Sequence, residues 1–277
     1  MAEGRVGLIA GGGALPALAM RCLVDAGFDV AVLGLEGITE PALVAPAEHL
    51  RLGQVEALVA RMQTAQVDSL LMVGHFDPAL AEASAARLAP DATARRLFEG
   101  MVPGAHVAWM SAVADFLEAE GLPLARQDVL LAPLLARRGP IGASMPGASH
   151  QGDLAAGRRE ISAQAASVLG QAVAIKEGVV VARETPAGTD ALIREAGLVA
   201  GAGFLIVKAA RPGQDPRLDL PAIGPTTIAA LAEAGGVGLA IEAGRTIVID
   251  APRVAAEADR CGVIVCAFDP DETAGGH

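Results

Sequence analysis

Residues 5–35 read RVGLIAGGGALPALAMRCLVDAGFDVAVLGL, and this alternation restricts the fold more than any other stretch. A short apolar run, RVGLIA (5–10), ends in three glycines. Residues 14–26, ALPALAMRCLVDA, carry a helical pattern closed by Gly27, and FDVAVLGL (28–35) is a second apolar run. Runs without polar alternation are strands covered on both faces, and parallel strands need a crossover segment between them. Residues 53–65 supply a second helix and SLLMVG (69–74) a third strand. Strand, helix, strand, helix, strand is the signature of a parallel sheet clad by helices. Helical stretches continue to about residue 120.

The pattern breaks at 137–157, RRGPIGASMPGASHQGDLAAG, where Gly, Pro and Ser dominate. Beyond it a helix resumes at 160–171, and AVAIKEGVVVAR (172–183) reads as a β-hairpin turning at Gly178. Next come helix 190–196, strand 203–209, helix 226–234, strand 237–242, a tight turn at Glu242–Arg245 and strand 246–249. Helix 252–260 and strand 262–268 finish the ordered pattern. The expected fold class is α/β. It has a Rossmann-like parallel-sheet domain at 1–136, a linker or interdomain loop at 137–158, and a C-terminal catalytic mixed α/β domain at 159–277. The site is expected between the two domains.

With no Tyr and one Trp, a core of this chain is built from Ala, Val, Leu and Ile. A net charge of −11 argues against a nucleic-acid surface, which needs clustered Lys and Arg. Cys22, Cys261 and Cys266 have no metal-ligand spacing and read as small apolar residues in a reducing compartment. The N-terminal MAEGRVGLIAGGG places glycines where a signal peptide has its apolar core, and no run of about 20 apolar residues is present. A cytoplasmic location follows as the expectation.

Several motifs carry chemistry. Gly11, Gly12 and Gly13 separate a first strand from a first helix, where free N–H groups favour a phosphate. Pro16 occupies the third-glycine position of the dinucleotide fingerprint, which weakens an NAD reading, and Glu36 stands where a ribose contact is found. His75 and Asp77 follow the third strand, Asp77 also being a candidate helix cap before Pro78. Gly188, Thr189 and Asp190 open a helix, either capping it or presenting hydroxyl and carboxylate groups to a phosphate or its metal.

The segment KAARPGQDPRLDLPAIGP (208–225) lies between two apolar elements. Its prolines and Gly213 shape a loop carrying Gln214, Asp215, Arg217 and Asp219. Carboxylates hold hard cations, and arginine forks match phosphate oxygens. Lys208 adds a point charge at the end of its strand. Glu242 and Arg245 flank a glycine turn, as a hairpin ion pair or as further site residues, and Asp250 reads as a helix cap.

Together, GLIAGGGALP, LLAPLLARRG, GTDALI, VKAARPGQDPRLDLPAIGPTTI and GLAIEAGRTIVID resemble the LpxI-type UDP-2,3-diacylglucosamine diphosphatases of lipid A synthesis. The resemblance spans nearly the whole chain. It implies an enzyme at the cytoplasmic face of the inner membrane, peripheral and homodimeric, that uses Mg2+ or another divalent cation. The implied substrate is a lipid-linked nucleotide sugar, hydrolysed to UMP and 2,3-diacylglucosamine 1-phosphate. The family's Pro-Gly-Gln-Asp motif falls on Pro212 to Asp215, with its following Asp at Asp219, and Glu-Ala-Gly-Arg falls on Glu242 to Arg245. Three features depart from the pattern: Ala187 stands where Glu often precedes Gly-Thr-Asp, Gly74-His75-Phe76-Asp77 replaces a basic stretch, and Arg211 replaces Lys.

On this reading Asp219 or Asp215 holds the metal or orients water, with Asp190 and Glu242 as further metal ligands. Gln214, Lys208 and Arg245 complete the catalytic set, Lys208 and Arg245 binding diphosphate oxygens. Gly11, Gly12, Gly13, Gly188, Thr189 and Arg217 are the expected substrate contacts. A non-catalytic nucleotide-sugar or lipid-binding protein and an NAD-linked oxidoreductase are the rival classes.

Overall fold

The computed structural model describes residues 4–42, 44, 47–76, 90–99, 106–163, 170–211 and 213–270. Asp77 and Pro212 lie outside them. The chain divides into two compact units, Met1–Pro133 with Asp215–Asp219, and Leu134–Gln214 with Leu220–His277.

In the first unit β1 (Arg5–Ala10), β2 (Asp29–Leu35), β3 (Glu48–Leu50) and β4 (Ser69–Val73) form a sheet in the order β3-β2-β1-β4. Every pairing in it is parallel. This order, with the first strand inside, is that of one half of a doubly wound sheet. Its helices are α1 (Leu15–Asp25), α2 (Val55–Thr64), α3 (Ala92–Phe98), α4 (His106–Ala119) and α5 (Gln127–Leu130). Ile9, Leu33, Leu70 and Met72 of the sheet pack with Val59 and Met62 of α2 and Met110, Ala114 and Leu117 of α4.

Leu218, far away in sequence, joins this core. Burial of a leucine contributes about 1.5–3 kcal/mol, and Gln127 N–H donates to the Pro216 carbonyl at 2.8 Å. Segment 215–219 is thereby part of the first unit, although the residues on either side of it belong to the second.

The second unit is a six-stranded mixed sheet in the order β5-β12-β10-β8-β6-β7. Its strands are β5 (Gly139–Pro140), β6 (Ala172–Lys176), β7 (Val179–Arg183), β8 (Leu205–Lys208), β10 (Gly238–Glu242) and β12 (Ile264–Phe268). Strands β8, β10 and β12 are parallel to one another, while β6 and β5 run antiparallel to β8 and β12. One face is covered by α7 (Thr189–Ala200), α8 (Pro225–Glu233) and α9 (Ala251–Cys261) through Leu192, Ile193, Ile228, Leu231 and Val254. The other face is covered by α6 (Ala148–Ala163), whose Ala156 and Ile161 meet Val173, Val207 and Ala240. The β6–β7 turn has φ of 52° at Glu177 and 76° at Gly178, as a tight hairpin requires.

Two local expectations are corrected. Helix α6 occupies much of the stretch read as a loop at 137–158. The small residues there serve close packing rather than chain irregularity: a Cβ on Gly157 would lie 2.3 Å from Val207 Cγ2. The turn after β10 does not fold back as a hairpin. Strand β11 (Ile247–Val248) instead pairs in parallel with β9 (Ala222–Ile223) in a separate two-stranded sheet. Among the described residues no helix is long and apolar enough to cross a membrane.

Candidate active site

Ligands of open α/β sheets gather at the carboxyl ends of parallel strands. In the second unit that edge is set by register. Lys208 ends β8 opposite Ile241, and Glu242 ends β10 opposite Phe268. Antiparallel β6 starts at the same edge, Ala172 facing Lys208. Strand β7 finishes there, so that Glu184 follows directly after its last residue.

Lys208 is only 8 % exposed and Glu184 only 7 %. Lys208 Nζ donates to Thr189 Oγ1 at 2.7 Å and lies 3.9 Å from Glu184 Oε1. Thr189 Oγ1 in turn donates to Glu184 Oε1. The directions are fixed by chemistry, since an ammonium only donates and an ionised carboxylate only accepts. Glu184 Oε2 accepts from Gln171 N–H at 2.6 Å, and its backbone N–H donates to the Ala172 carbonyl at 2.9 Å. A Cβ on Gly170 would lie 2.4–2.6 Å from the Glu184 side chain, so only glycine leaves room for this carboxylate.

Thr189 was expected to cap its helix or to meet substrate. The N-cap is Gly188, with φ of 85° and no side-chain capping bond. Thr189 lies one residue inside, and its hydroxyl is spent between Lys208 and Glu184. Asp190, in the first turn of α7, is exposed.

Glu242 is 4 % exposed. Its Oε2 accepts from Ala210 N–H at 2.8 Å, and its Oε1 lies 3.6 Å from Arg245 Nη1. Burial pushes its carboxyl above the usual range, against the opposing effects of the Ala210 hydrogen bond and of Arg245 and Arg158. Arg158 reaches this edge from α6, its guanidinium 4.8 Å from the Phe268 ring centroid and donating to the Asp269 carbonyl at 3.0 Å. Gln214 Oε1 accepts from Arg211 N–H at 2.9 Å, which closes the start of the loop.

In the first unit Arg217 is surrounded by acid. Its guanidinium pairs with Asp215 and Glu118 and lies 4.0 Å from Asp115. The Arg217 hydrogen bonds hold the Asp215 carboxyl below its usual range. The Arg217 fork is thus filled by the protein's own carboxylates rather than presented to a phosphate. Asp219 is exposed, with φ of 48°.

The glycine turn has a packing role. Gly11 N–H donates to Val73 and Gly12 N–H to His75, both at 2.8 Å. A Cβ on Gly11 would lie 2.8 Å from the His75 carbonyl. Two of the three glycines expected to cradle a phosphate therefore spend their N–H groups on β4 and its extension, while Gly13 is exposed with φ of 82°. Glu36 forms an exposed ion pair with Arg51 at 3.2 Å.

The expected metal ligands do not form a ready cage within either unit. Among the described residues no three His, Cys, Asp or Glu side chains gather as a cation site. Asp215 is taken by Arg217, and Glu242 by Ala210 and Arg245.

Sequence reasoning passed over Glu184, Arg158 and Glu118. One signal was present for the lysine cluster. Of 21 basic side chains only Lys176 and Lys208 are lysines, which marks positions where a compact ammonium replaces the otherwise universal guanidinium. Lys176 has a local use, donating to the Ala200 and Ala202 carbonyls at the end of α7. Lys208 has no such local use.

The LpxI N-terminal domain family model matches residues 5–134, and the LpxI C-terminal domain model matches residues 137–266. The chain is 30% identical over 281 residues to a protein of Caulobacter vibrioides described as UDP-2,3-diacylglucosamine pyrophosphatase LpxI, covering 97% of this chain and 99% of the relative. A solved structure, CobK precorrin-6A reductase, aligns over 96% of this chain and 88% of its own with 13% identity and a TM-score of 0.32, a likeness too slight to carry an argument.

Proposed function

Since the chain belongs to the LpxI family, we propose that it hydrolyses the diphosphate of UDP-2,3-diacylglucosamine. Water adds to one phosphorus and the bridging P–O bond breaks. The products are UMP and 2,3-diacylglucosamine 1-phosphate, and the proton lost by water leaves to solvent or to a carboxylate. The observation that carries this reading is the buried Lys208 ammonium at the carboxyl end of β8. A fixed cation at that edge suits a polyanionic ligand and stabilises charge on phosphate oxygens as they separate.

Lys208 and Arg245 bind diphosphate oxygens in this proposal. Glu242 holds the Ala210 backbone and Arg245 in place. Asp219, exposed on segment 215–219, is the candidate for orienting water. Asp215 holds that segment through Arg217. The requirement for Mg2+, peripheral contact with the inner membrane, a cytoplasmic location and a homodimer are proposed with it, on the family reading.

The test is incubation with UDP-2,3-diacylglucosamine, with Mg2+ or with chelator, followed by mass analysis. UMP and the 1-phosphate in equal amounts support the proposal, and their absence from the chelated sample supports the cation requirement. Binding of the intact nucleotide sugar without products assigns the chain to a non-catalytic binding role.

A further inference from the structure

We propose that Glu184 is the positioning residue of the Lys208 ammonium, acting through the Thr189 hydroxyl. The inference deepens the reading above and rests on it for the identity of the substrate. Its geometric basis is independent, because residue 184 lies outside the motifs by which the chain resembles its family.

Four observations converge. Glu184 and Lys208 are both more than nine-tenths buried and face one another across strands β7-β6-β8. Thr189 bridges them, donating to the acid and accepting from the amine. Glu184 cannot turn away: its second oxygen is held by Gln171 N–H and its backbone by Ala172. Gly170 supplies the empty space this rotamer needs.

A buried ion pair is weak evidence for stability, because desolvation of both charges offsets their attraction. The arrangement makes sense as placement. A lysine has four rotatable bonds, and a mobile ammonium loses much of its value to a transition state when misplaced by 1 Å. Among the described residues Nζ makes one hydrogen bond, to Thr189, and a second proton is drawn toward Glu184. In the proposed reaction the third ammonium proton is the one that meets a diphosphate oxygen. The acid that reaches the Gly-Thr-Asp turn comes from the end of β7.

The experiment is a double-mutant cycle with folding checked by thermal melts. Glu184→Gln is expected to lower kcat about 10- to 100-fold with KM little changed, and Glu184→Asp to recover part of that loss. In a Lys208→Met background Glu184→Gln is expected to cost nothing more, because its only route to the reaction is gone. A purely structural role predicts losses that multiply. A folded Glu184→Gln variant with the parental kcat, or multiplying losses, would overturn the proposal. The Glu184→Gln, Lys208→Met pair removes both charges together and keeps the test usable if the single variant folds poorly.

A second readout needs no substrate. With two lysines in the chain, nitrogen-15 lysine labelling gives two ammonium signals. The Lys208 signal is expected to be visible in the parent and to exchange away in Glu184→Gln, with Lys176 unchanged as control. An unaltered Lys208 signal overturns the proposal whatever the substrate is. Loss of that signal together with a parent that does not turn over the nucleotide sugar locates the failure in the proposed reaction instead.

Discussion

Thr189 Oγ1 lies 2.7 Å from Lys208 Nζ, so the first residue of α7 is tied to the last residue of β8 by one hydroxyl. That hydroxyl has a single proton, and Glu184 takes it. Thr189 is accordingly a link within the protein rather than a donor to substrate. Thr189→Val is expected to lower turnover about 10-fold or more by releasing the lysine, and to cost about 1–3 kcal/mol through a buried amine stripped of its acceptor. Thr189→Ser should retain most activity. Rates of UMP release beside thermal melts check both.

Lys208→Arg tests shape at constant charge. The guanidinium is planar and wider than the ammonium, and the site is closed to 8 % exposure. Turnover is expected to fall about 100-fold, close to Lys208→Met, the scale of losing one preorganised donor. Near-parental turnover in Lys208→Arg would mean that charge alone suffices.

Glu242 is expected to trade stability for function. Its carboxyl is raised by burial, so the folded state holds a proton more tightly than the unfolded state does. Its stabilising contribution is present below the unfolded pKa and is lost as pH rises through the folded one. At neutral pH the buried charge is a cost, which Glu242→Gln removes while still accepting from Ala210 N–H. The variant should melt higher than the parent at pH 7, match it near pH 4, and turn over substrate poorly. Melts at the two pH values decide it.

Asp215 has the opposite sign. Its carboxyl is held low by Arg217, so its contribution is present above the unfolded pKa and disappears as pH falls through the folded one. Asp215→Asn should lower the melting temperature at pH 7 and make little difference in strong acid. Hydrogen exchange should rise at Gln127 N–H, which is bonded to Pro216.

The cysteines differ in reach. Burial pushes the Cys266 thiol up to about 11, while Cys22 and Cys261 are half-buried. Iodoacetamide at neutral pH is expected to label Cys22 and Cys261 first, with Cys266 reacting only on unfolding. Peptide mass mapping reads the order.

Much of the fold was legible in local periodicity. The strands at 5–10, 172–183 and 237–242 and the helices at 226–234 and 252–260 are found within a residue or two of where the pattern puts them. Asp250 caps the last of these, accepting from Arg253 N–H at 3.4 Å. The start of helix α6 is not legible locally, because its small residues answer to the sheet beneath, a demand that no local pattern contains. The site was legible only in part. Lys208 and Glu242 end neighbouring strands of the second sheet with Arg245 beside Glu242, whereas Gly11, Gly12 and Arg217 spend their donors on the protein itself.

The alternation of elements and the family are written along the chain, in its apolar spacing and motif order. The meeting of Glu184 with Lys208, and the place of segment 215–219 in the first unit, come from the folded chain alone. Both depend on strand order and long-range burial. Those are settled by which surfaces exclude water together, not by which residues are neighbours in the chain.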